Sequence, residues 1–386
     1  MRSIKFLPTV IVKLLINILY KLFSIMFPIN IRKITFASFR SSSIEGNLLY
    51  LFNEIKRNKN NITFSFLFGK SPKGFFGKLS FIKHIVKVIY HLTTSRYFII
   101  DDYYLPLYFI KPRKGIEIIQ VWHAAGAFKK FGYSTIGKDY GPSREYLNII
   151  KVHSNYSSVI VSTKEVIPIY SEAFNMPPSK ILPLGLPRTD YFFEVEKHQL
   201  LKERFIKEFP ELRGKKLILY APTFRGKNRQ VHSFDYFINF NVLNKMLNGK
   251  YVVLLHLHPY INNKINIDKK LSGFIYLIEK NYTIEELLIL SDILISDYSS
   301  IIFDYSLLRK PMAFFAKDLE AYIKERDFYF TYKEFVPGPI FRETEKLGLW
   351  IKNESYNIER IKEFQERFLP NCDGTVSERI VKEIIK

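Results

Sequence analysis

The sequence contains very little cysteine, since Cys372 is the single one in 386 residues. One thiol excludes an intramolecular disulfide and any zinc or iron–sulfur site that needs several cysteines. A reducing, cytosolic setting is therefore expected. The length and an apolar content of 47% are sufficient for two hydrophobic cores, so two or more domains are expected.

Several familiar signatures are also missing from the chain. It has no G-x-x-x-x-G-K-[ST] phosphate loop, no G-x-G-x-x-G turn opening a helix and no H-E-x-x-H motif. Their absence leaves ATP hydrolysis and hydride transfer by these devices without support.

Acidic residues are scarce in the first hundred positions. This segment contains two acidic residues, Glu45 and Glu54, and 16 Lys and Arg. It therefore contributes +14 of the total net charge of +21. A localised basic excess predicts an anionic partner, which is a membrane surface, a nucleic acid or a phosphate-rich substrate.

The apolar run Ile4–Phe27 is interrupted by polar residues at helical spacing. They form one narrow stripe on a helix, which consists of Thr9, Lys13, Asn17, Lys21 and Ser24. A spanning helix would place Lys13 near the bilayer centre, at a cost of about 3 kcal/mol. The pattern favours an amphipathic helix in residues 1–30 that lies in the membrane interface, with a spanning anchor or a buried core helix as alternatives.

A second amphipathic stretch, Lys78–Leu92, has an apolar face and a basic one. Lys83 and Lys87 lie on the basic face. Membrane contact and a solvated helix face explain this pattern equally well. Together with the first stretch, it gives Lys13, Lys21, Lys83 and Lys87 as predicted membrane-binding residues.

From about residue 31 onward, short apolar runs alternate with helix-like segments such as Thr283–Leu290 and Ile301–Leu308. Near-continuous β-branched and aromatic runs are typical of parallel strands buried on both faces. The predicted strands are Ile34–Phe39, Ile62–Phe68, Tyr97–Asp101, Ile116–Val121, Val159–Ser162, Leu217–Tyr220, Tyr251–His256, Phe274–Ile278, Ile293–Ile295 and Met312–Phe315. Strand–helix alternation predicts doubly wound α/β sheets. The series breaks at residues 190–214, which predicts two domains, 31–205 and 206–386.

Two histidine motifs follow predicted strands. His123 comes directly after Ile116–Val121 and precedes small residues, so its imidazole is expected to be exposed beside a ligand, with Lys129 and Lys130 contacting anions nearby. A structural histidine at a tight turn is the alternative.

His256 and His258 end another strand, and their spacing allows a metal site, but no Asp, Glu or Cys lies near to complete it. Contact of His258 with a phosphate or substrate is favoured.

Two further loops carry groups suited to a diphosphate. Ser299 and Ser300 precede the helix Ile301–Leu308, whose N-terminus favours an anion, although plain N-capping by Asp297 or Ser299 is an alternative. Arg225, beside a glycine, is a candidate for a bidentate diphosphate contact, or else a surface arginine. This chemistry is typical of group transfer from a nucleotide diphosphate donor by a histidine base.

Taken together, these motifs resemble those of the CDP-glycerol glycerophosphotransferases, the family of teichoic acid primases and polymerases. The resemblance covers roughly residues 95–386, with a weaker match at Phe36–Asn47. It rests on WHAAGAFKKFG, YAPTFRG, HLHP, SDYSSIIFDYSLLRKP, FYFTYKEFVPGPI and DGTVSERI. It implies a GT-B-like fold, with two Rossmann-type domains facing a cleft, and attachment at the cytoplasmic face of a bacterial cell membrane.

The resemblance also implies an activity and a set of site residues. The implied reaction transfers glycerol phosphate from CDP-glycerol to a hydroxyl of a lipid-linked acceptor and releases CMP. His123 and His258 correspond to the two family histidines, and His123 is the expected general base. Neither a cofactor nor a metal site is expected, although a Mg²⁺ requirement is not excluded. The residues expected at the donor are Thr223, Arg225, Tyr298, Ser299, Ser300 and Asp304.

Other functions remain open at this stage. A CDP-ribitol or other CDP-polyol phosphotransferase, including one that builds a capsule polymer, is the nearest alternative, followed by a nucleotide-sugar glycosyltransferase of the same fold. A nucleic-acid-binding protein would also be basic, but most aromatic residues fall in predicted strand cores and no RNA-recognition signature is present. A non-catalytic membrane scaffold is disfavoured by the two histidine motifs.

Overall fold

The structure is a computed structural model that describes residues 6–69, 74–223, 225, 238–247, 249–257, 267–278 and 281–386. The chain divides into two compact units. The first consists of Met1–Asp190 and Asn371–Lys386, and the second of Tyr191–Pro370. The division falls at Asp190 rather than at the predicted 205/206, and the last residues of the chain return to the first unit.

The first unit contains six parallel strands in the order β2-β1-β3-β4-β5-β6. The strands are β1 (Asn30–Ser38), β2 (Thr63–Phe68), β3 (Ser95–Ile100), β4 (Glu117–Gln120), β5 (Ser158–Ile160) and β6 (Ile181–Leu182). The helices of its first segment, Met1–Asp190, are α1 (Leu7–Met26), α2 (Gly46–Asn58), α3 (Gly74–Thr94), α4 (Arg144–Ile149) and α5 (Ile167–Phe174). The strand order reverses between β1 and β3, where the carboxyl ends of the strands leave a crevice for a ligand.

The second unit repeats this plan with six parallel strands in the order β12-β11-β10-β7-β8-β9. Its strands are β7 (Lys216–Tyr220), β8 (Tyr251–Leu255), β9 (Ile275–Leu277), β10 (Ile293–Ser296), β11 (Met312–Phe315) and β12 (Ile340–Phe341). Its helices are α6 (Val195–Glu208), α7 (Phe240–Leu247), α8 (Ile284–Leu290), α9 (Ile301–Ser306), α10 (Leu319–Arg326), α11 (Tyr332–Phe335), α12 (Thr344–Lys352) and α13 (Ile358–Phe368). Here the order reverses between β7 and β10.

The last helix, α14 (Val376–Ile384), belongs to the first unit. The Asp190 carboxylate accepts hydrogen bonds at 2.9 Å from the backbone N–H groups of Val376 and Ser377. These are N–H groups at the start of the helix, which lack partners within the helix itself. Asp190 therefore fixes the return of the chain at the point where the first unit ends.

The expected class, α/β with parallel sheets, is confirmed, and all ten predicted strands are present within a few residues of their predicted ends. Their apolar runs are buried on both faces, as in β7 and β8. The two strands that the sequence did not reveal, β6 and β12, have two residues each. Such strands are too short to show any periodicity.

Two members of the polar stripe of α1, Lys13 and Asn17, bond to other parts of the first unit. The Lys13 ammonium donates to the Ile149 carbonyl at 2.6 Å, and the Asn17 amide donates to the Phe109 carbonyl. The prediction that Lys13 contacts the membrane is therefore corrected, because its charged end is held by a backbone carbonyl of the protein. The large apolar side chains are exposed instead, and they are Leu7, Val10, Ile11, Val12, Leu14, Leu15, Ile18, Leu22, Ile25 and Met26.

Helix α3 packs beside α1 through aromatic contacts of Tyr90 with Phe23 and Phe27. Ile82 and Val86 are exposed on α3 next to the exposed Lys83 and Lys87. Lys21 of α1 is also exposed. By length and composition, α1 also qualifies as a membrane-spanning helix, but its hydrogen bonds to the first unit place it against the protein.

Candidate functional site

His123 lies at the carboxyl edge of the first sheet, just beyond β4. Its Nδ1 is 3.1 Å from the backbone carbonyl oxygen of Asp101, which follows the neighbouring strand β3. A carbonyl oxygen only accepts, so Nδ1 carries the proton and Nε2 holds the lone pair of a neutral imidazole. This tautomer leaves Nε2 as the atom that can accept a proton from a substrate hydroxyl.

The surroundings keep His123 neutral. Burial lowers its pKa to about 4, and the positive charges of Arg40 and Arg188 act in the same direction. The Asp102 carboxylate, 3.9 Å from Nδ1, and the hydrogen bond to Asp101 oppose them. At neutral pH the imidazole is thus uncharged, the state that the general-base role expected from the resemblance requires.

The backbone before His123 is strained and is held by groups that sequence reasoning missed. Trp122 has a φ of 48°, an unfavourable value for a bulky residue. The Asn47 side chain donates to the Trp122 carbonyl at 2.9 Å and accepts from the Arg188 backbone N–H at 3.0 Å. The Trp122 ring also stacks on the His123 ring at 4.5 Å between centroids. The one sequence signal for Asn47 was its place at the end of the weaker match, Phe36–Asn47.

Asp101 and Asp102 are a second feature that the motifs did not reveal. Asp101 is buried, and burial raises the pKa of its carboxyl to about 6, although the Ser38 hydroxyl and the charge of Arg40 act against this rise. Lys129 and Lys130, the predicted anion contacts, lie half-buried in the loop that follows His123. The first sheet thus brings a histidine, two carboxylates and basic side chains to one edge.

The second sheet also carries predicted site residues at its carboxyl edge. Ser299 and Ser300 are half-buried in the turn between β10 and α9, and the Ser299 hydroxyl accepts from the Ile301 N–H at 3.4 Å. Asp304 is buried on α9. This places two hydroxyls and the start of a helix where the strand order reverses, a geometry that suits an anion.

Arg225 has a different immediate partner from the one that the sequence predicted. Its guanidinium forms a bidentate pair with Asp318, at 2.6 and 3.0 Å, and an ion pair with Asp297 at 2.9 Å. Burial alone would lower the pKa of Arg225, but the hydrogen bonds and charges of these carboxylates hold it above its ordinary value. The guanidinium also lies over the rings of Tyr298 and Tyr322.

Thr223 and Tyr298 belong to the same cluster rather than to an open surface. The Thr223 hydroxyl donates to Asp297 at 2.7 Å, and the Tyr298 hydroxyl donates to Asp318 at 2.9 Å. Burial of Tyr298 raises the pKa of its hydroxyl. This cluster of Thr223, Arg225, Asp297, Tyr298 and Asp318 joins the loops after β7, β10 and β11, so it fixes the turn that presents Ser299 and Ser300.

The remaining predicted histidine, His258, lies outside the described residues. Its neighbour His256 is described, and its Nδ1 is 2.9 Å from the Ile278 carbonyl oxygen. Within the described part of the chain, no group of three or more His, Cys, Asp or Glu is arranged to hold a metal ion.

Comparison with known proteins relates this arrangement to one family. The model of the CDP-glycerol:poly(glycerophosphate) glycerophosphotransferase family matches residues 18–386. A teichoic acid ribitol-phosphate primase from Bacillus spizizenii is 41% identical over 96% of this chain and 95% of its own length. A teichoic acid glycerol-phosphate primase from Bacillus subtilis is 34% identical over 78% of this chain and 76% of its own.

The fold has a solved counterpart in the wall teichoic acid polymerase TagF. That structure superposes with a TM-score of 0.76 at 25% identity, and the match covers 99% of this chain and 94% of the other. The similarity confirms the expected GT-B-like class of the two α/β units. The matched residues, the identity and the fold agree, and the chain belongs to the CDP-glycerol:poly(glycerophosphate) glycerophosphotransferase family, whose members include the teichoic acid primases and polymerases.

Proposed function

We propose that this protein transfers a polyol phosphate from a CDP-polyol to a hydroxyl of a lipid-linked acceptor and releases CMP. The observation that carries the proposal is the neutral His123, whose Nδ1–H is fixed on the Asp101 carbonyl at the crevice of the first sheet. A base with one nitrogen anchored presents the other in a defined direction, which is the arrangement that general base catalysis needs.

In the proposed reaction, the acceptor hydroxyl oxygen attacks the β-phosphorus of the CDP-polyol. His123 Nε2 takes the hydroxyl proton as the new phosphodiester bond forms. The bond from the β-phosphorus to the bridging oxygen breaks, and that oxygen leaves with CMP. Ser299, Ser300 and the first turn of α9 bind the donor phosphates, with His258 as a further phosphate contact. Lys129 and Lys130 attract the anionic acceptor, so the catalysis is positioning and electrostatic stabilisation around one proton transfer.

Ribitol phosphate is the donor group that the comparisons favour. The ribitol-phosphate primase is more similar to this chain than the glycerol-phosphate primase is, and the match is longer. Glycerol phosphate is the second candidate, because the matching family is described by that substrate. The two donors differ in the length of the polyol and share the CDP group. The residues proposed to bind the donor phosphates, Ser299, Ser300 and His258, can therefore bind either donor.

A donor panel tests this assignment. Purified protein is incubated with CDP-ribitol, CDP-glycerol or a nucleotide sugar, with and without a lipid-linked polyol-phosphate acceptor. Release of the free nucleotide is measured, which is CMP from the CDP-polyols and a nucleoside diphosphate from the nucleotide sugar. We expect acceptor-dependent CMP release that is fastest with CDP-ribitol. Each donor is assayed once with Mg²⁺ and once with EDTA. For each donor, we expect the same rate of release under the two conditions. Release with CDP-glycerol alone would select the second candidate, and release from the nucleotide sugar alone would refute polyol-phosphate transfer.

We also propose that the exposed faces of α1 and α3 dock on the cytoplasmic face of the cell membrane. Helix α1 exposes a row of large apolar side chains, while Lys13 and Asn17 of its polar stripe are bonded to other parts of the first unit. Lys21, Lys83 and Lys87 are exposed beside that row. Apolar side chains bordered by lysine suit an anionic bilayer surface, where each lysine contributes about 1 kcal/mol.

Placing glutamate at Leu14 and Ile18 is expected to abolish this docking. Both side chains are more than half exposed on α1, at 59% and 52%, so the double variant should fold normally. Sedimentation with phosphatidylglycerol vesicles measures binding, and we expect most of it to be lost. The matched control is Leu200→Glu on α6, where leucine is 65% exposed. Vesicle binding by the double variant equal to that of the control would disprove docking through α1.

A further inference from the structure

We propose that Arg40 binds a phosphate group of the acceptor beside the general base. The inference rests on the proposed transfer reaction and adds a binding residue to it. Arg40 follows β1 by two residues, and its side chain is exposed. Among the residues that the structure describes, no hydrogen bond or ion pair occupies its guanidinium, and its backbone N–H donates to the Ser38 hydroxyl at 3.0 Å.

The topology brings Arg40 and His123 to the same edge. β1, β3 and β4 are neighbours in the first sheet, and Arg40, Asp101 and His123 follow them in that order. Adjacent strands are about 4.8 Å apart, so Arg40 begins roughly 10 Å from His123. This separation suits a polyol phosphate whose hydroxyl faces His123 and whose phosphate faces Arg40. The strand order reverses between β1 and β3, where such folds bind ligands.

A chain of contacts connects these groups. The Ser38 hydroxyl accepts from the Arg40 N–H and lowers the pKa of the Asp101 carboxyl, while the Asp101 carbonyl accepts from His123. Asp101 is 6% exposed, and its Oδ1 has no hydrogen-bond partner among the described residues. A buried carboxylate oxygen without a donor is costly, and a polyol hydroxyl supplies that donor directly or through a water molecule.

The chemistry of the reactants indicates which phosphate Arg40 meets. The hydroxyl that loses its proton to His123 belongs to the acceptor, so groups beside His123 face the acceptor. A lipid-linked polyol-phosphate acceptor carries phosphate next to that hydroxyl. A guanidinium binds phosphate oxygens through two parallel N–H groups. The donor diphosphate has the same chemistry, and the experiment separates the two sources.

The test compares Arg40→Gln and Arg40→Lys with the wild type in the transferase assay. Loss of one charge-assisted phosphate contact is expected to raise the acceptor KM by about 10-fold to 100-fold in Arg40→Gln. The donor KM should stay constant, and Arg40→Lys should recover part of the loss. The matched control is Arg57→Gln at the far end of α2, where arginine pairs with Glu54; its KM values should equal those of the wild type.

A second readout distinguishes this role from a structural one. Arg40, Arg188 and Asp102 are the charged groups that act on His123. Removing the positive charge of Arg40 should raise the pKa of His123, so the acidic limb of the kcat/KM profile should move to higher pH. A rise in the donor KM alone would assign the phosphate to the donor and refute the acceptor assignment.

Unchanged KM values for both substrates, in a variant with wild-type CMP release, would overturn the phosphate contact altogether. That outcome is distinct from failure of the proposed function, in which the wild type itself releases no CMP from any donor. Because the Arg40 side chain is exposed, the melting temperature of Arg40→Gln should match that of the wild type.

Discussion

Replacing His123 by alanine is expected to slow acceptor-dependent CMP release by about 10²-fold to 10⁴-fold, the usual contribution of a general base. His123 is the one described group at the first sheet edge whose nitrogen is oriented by a carbonyl and kept neutral by its surroundings. The side chain is about one-third exposed, so the variant should fold. The melting temperature and donor binding are measured beside the rate. A fully active His123→Ala protein would remove the base from the mechanism.

The pH dependence gives an independent view of the same residue. A histidine accepts a proton only when it is neutral, so activity is lost as the pH falls through its pKa. For the free enzyme that pKa is about 4, so kcat/KM should remain level from neutral pH until well below 6.5. Bound phosphates bring negative charge and stabilise the imidazolium, so the limb of the kcat profile should lie at higher pH. A kcat limb at or below the kcat/KM limb would contradict the proximity of phosphate to His123.

Replacing Arg225 by glutamine is expected to destabilise the second unit by about 3–5 kcal/mol, the cost of leaving a buried carboxylate without its partner. Asp297 is 2% exposed and pairs with Arg225 at 2.9 Å. Urea unfolding measures the change. Arg225→Lys should recover part of the loss, because an ammonium keeps the charge but lacks the fork that pairs with Asp318.

The control for this prediction is Arg342→Gln. Arg342 pairs with Glu320 in the same unit, but both side chains are well exposed, so little change in stability is expected. The result also separates two roles for Arg225. A variant with wild-type stability and a raised donor KM would show that Arg225 contacts the donor diphosphate, as the sequence predicted. Low stability combined with a raised donor KM would fit a residue that positions Ser299 and Ser300.

The strands were predictable because each carries its own local signal. Buried parallel strands such as β7 and β8 are apolar on both faces, so a run of β-branched residues marks them whatever their partners are. The positions of His123 and Ser299 at the sheet edges were predictable for a related reason, since both lie just after such strands. The carboxyl ends of strands are where α/β sheets bind ligands.

The rest depends on contacts between residues far apart in sequence. Nothing near Arg225 showed that Asp297 and Asp318 would surround it, and nothing near Lys13 showed that its ammonium would meet the Ile149 carbonyl. The return of the last residues to the first unit was hidden for the same reason, since Asp190 meets the start of α14 only after folding. The spacing of polar and apolar residues shows that a helix has two different faces. It does not show which of the two packs against the rest of the protein.

The most direct test of the central claim follows both products of one reaction. Purified protein is mixed with CDP-ribitol and a lipid-linked polyol-phosphate acceptor, and CMP and the mass of the acceptor are measured together. We expect one CMP for each ribitol phosphate added to the acceptor, with both products formed about 10²-fold to 10⁴-fold more slowly by His123→Ala. CMP release without any gain in acceptor mass, or extension by His123→Ala at the wild-type rate, would contradict base-assisted polyol-phosphate transfer.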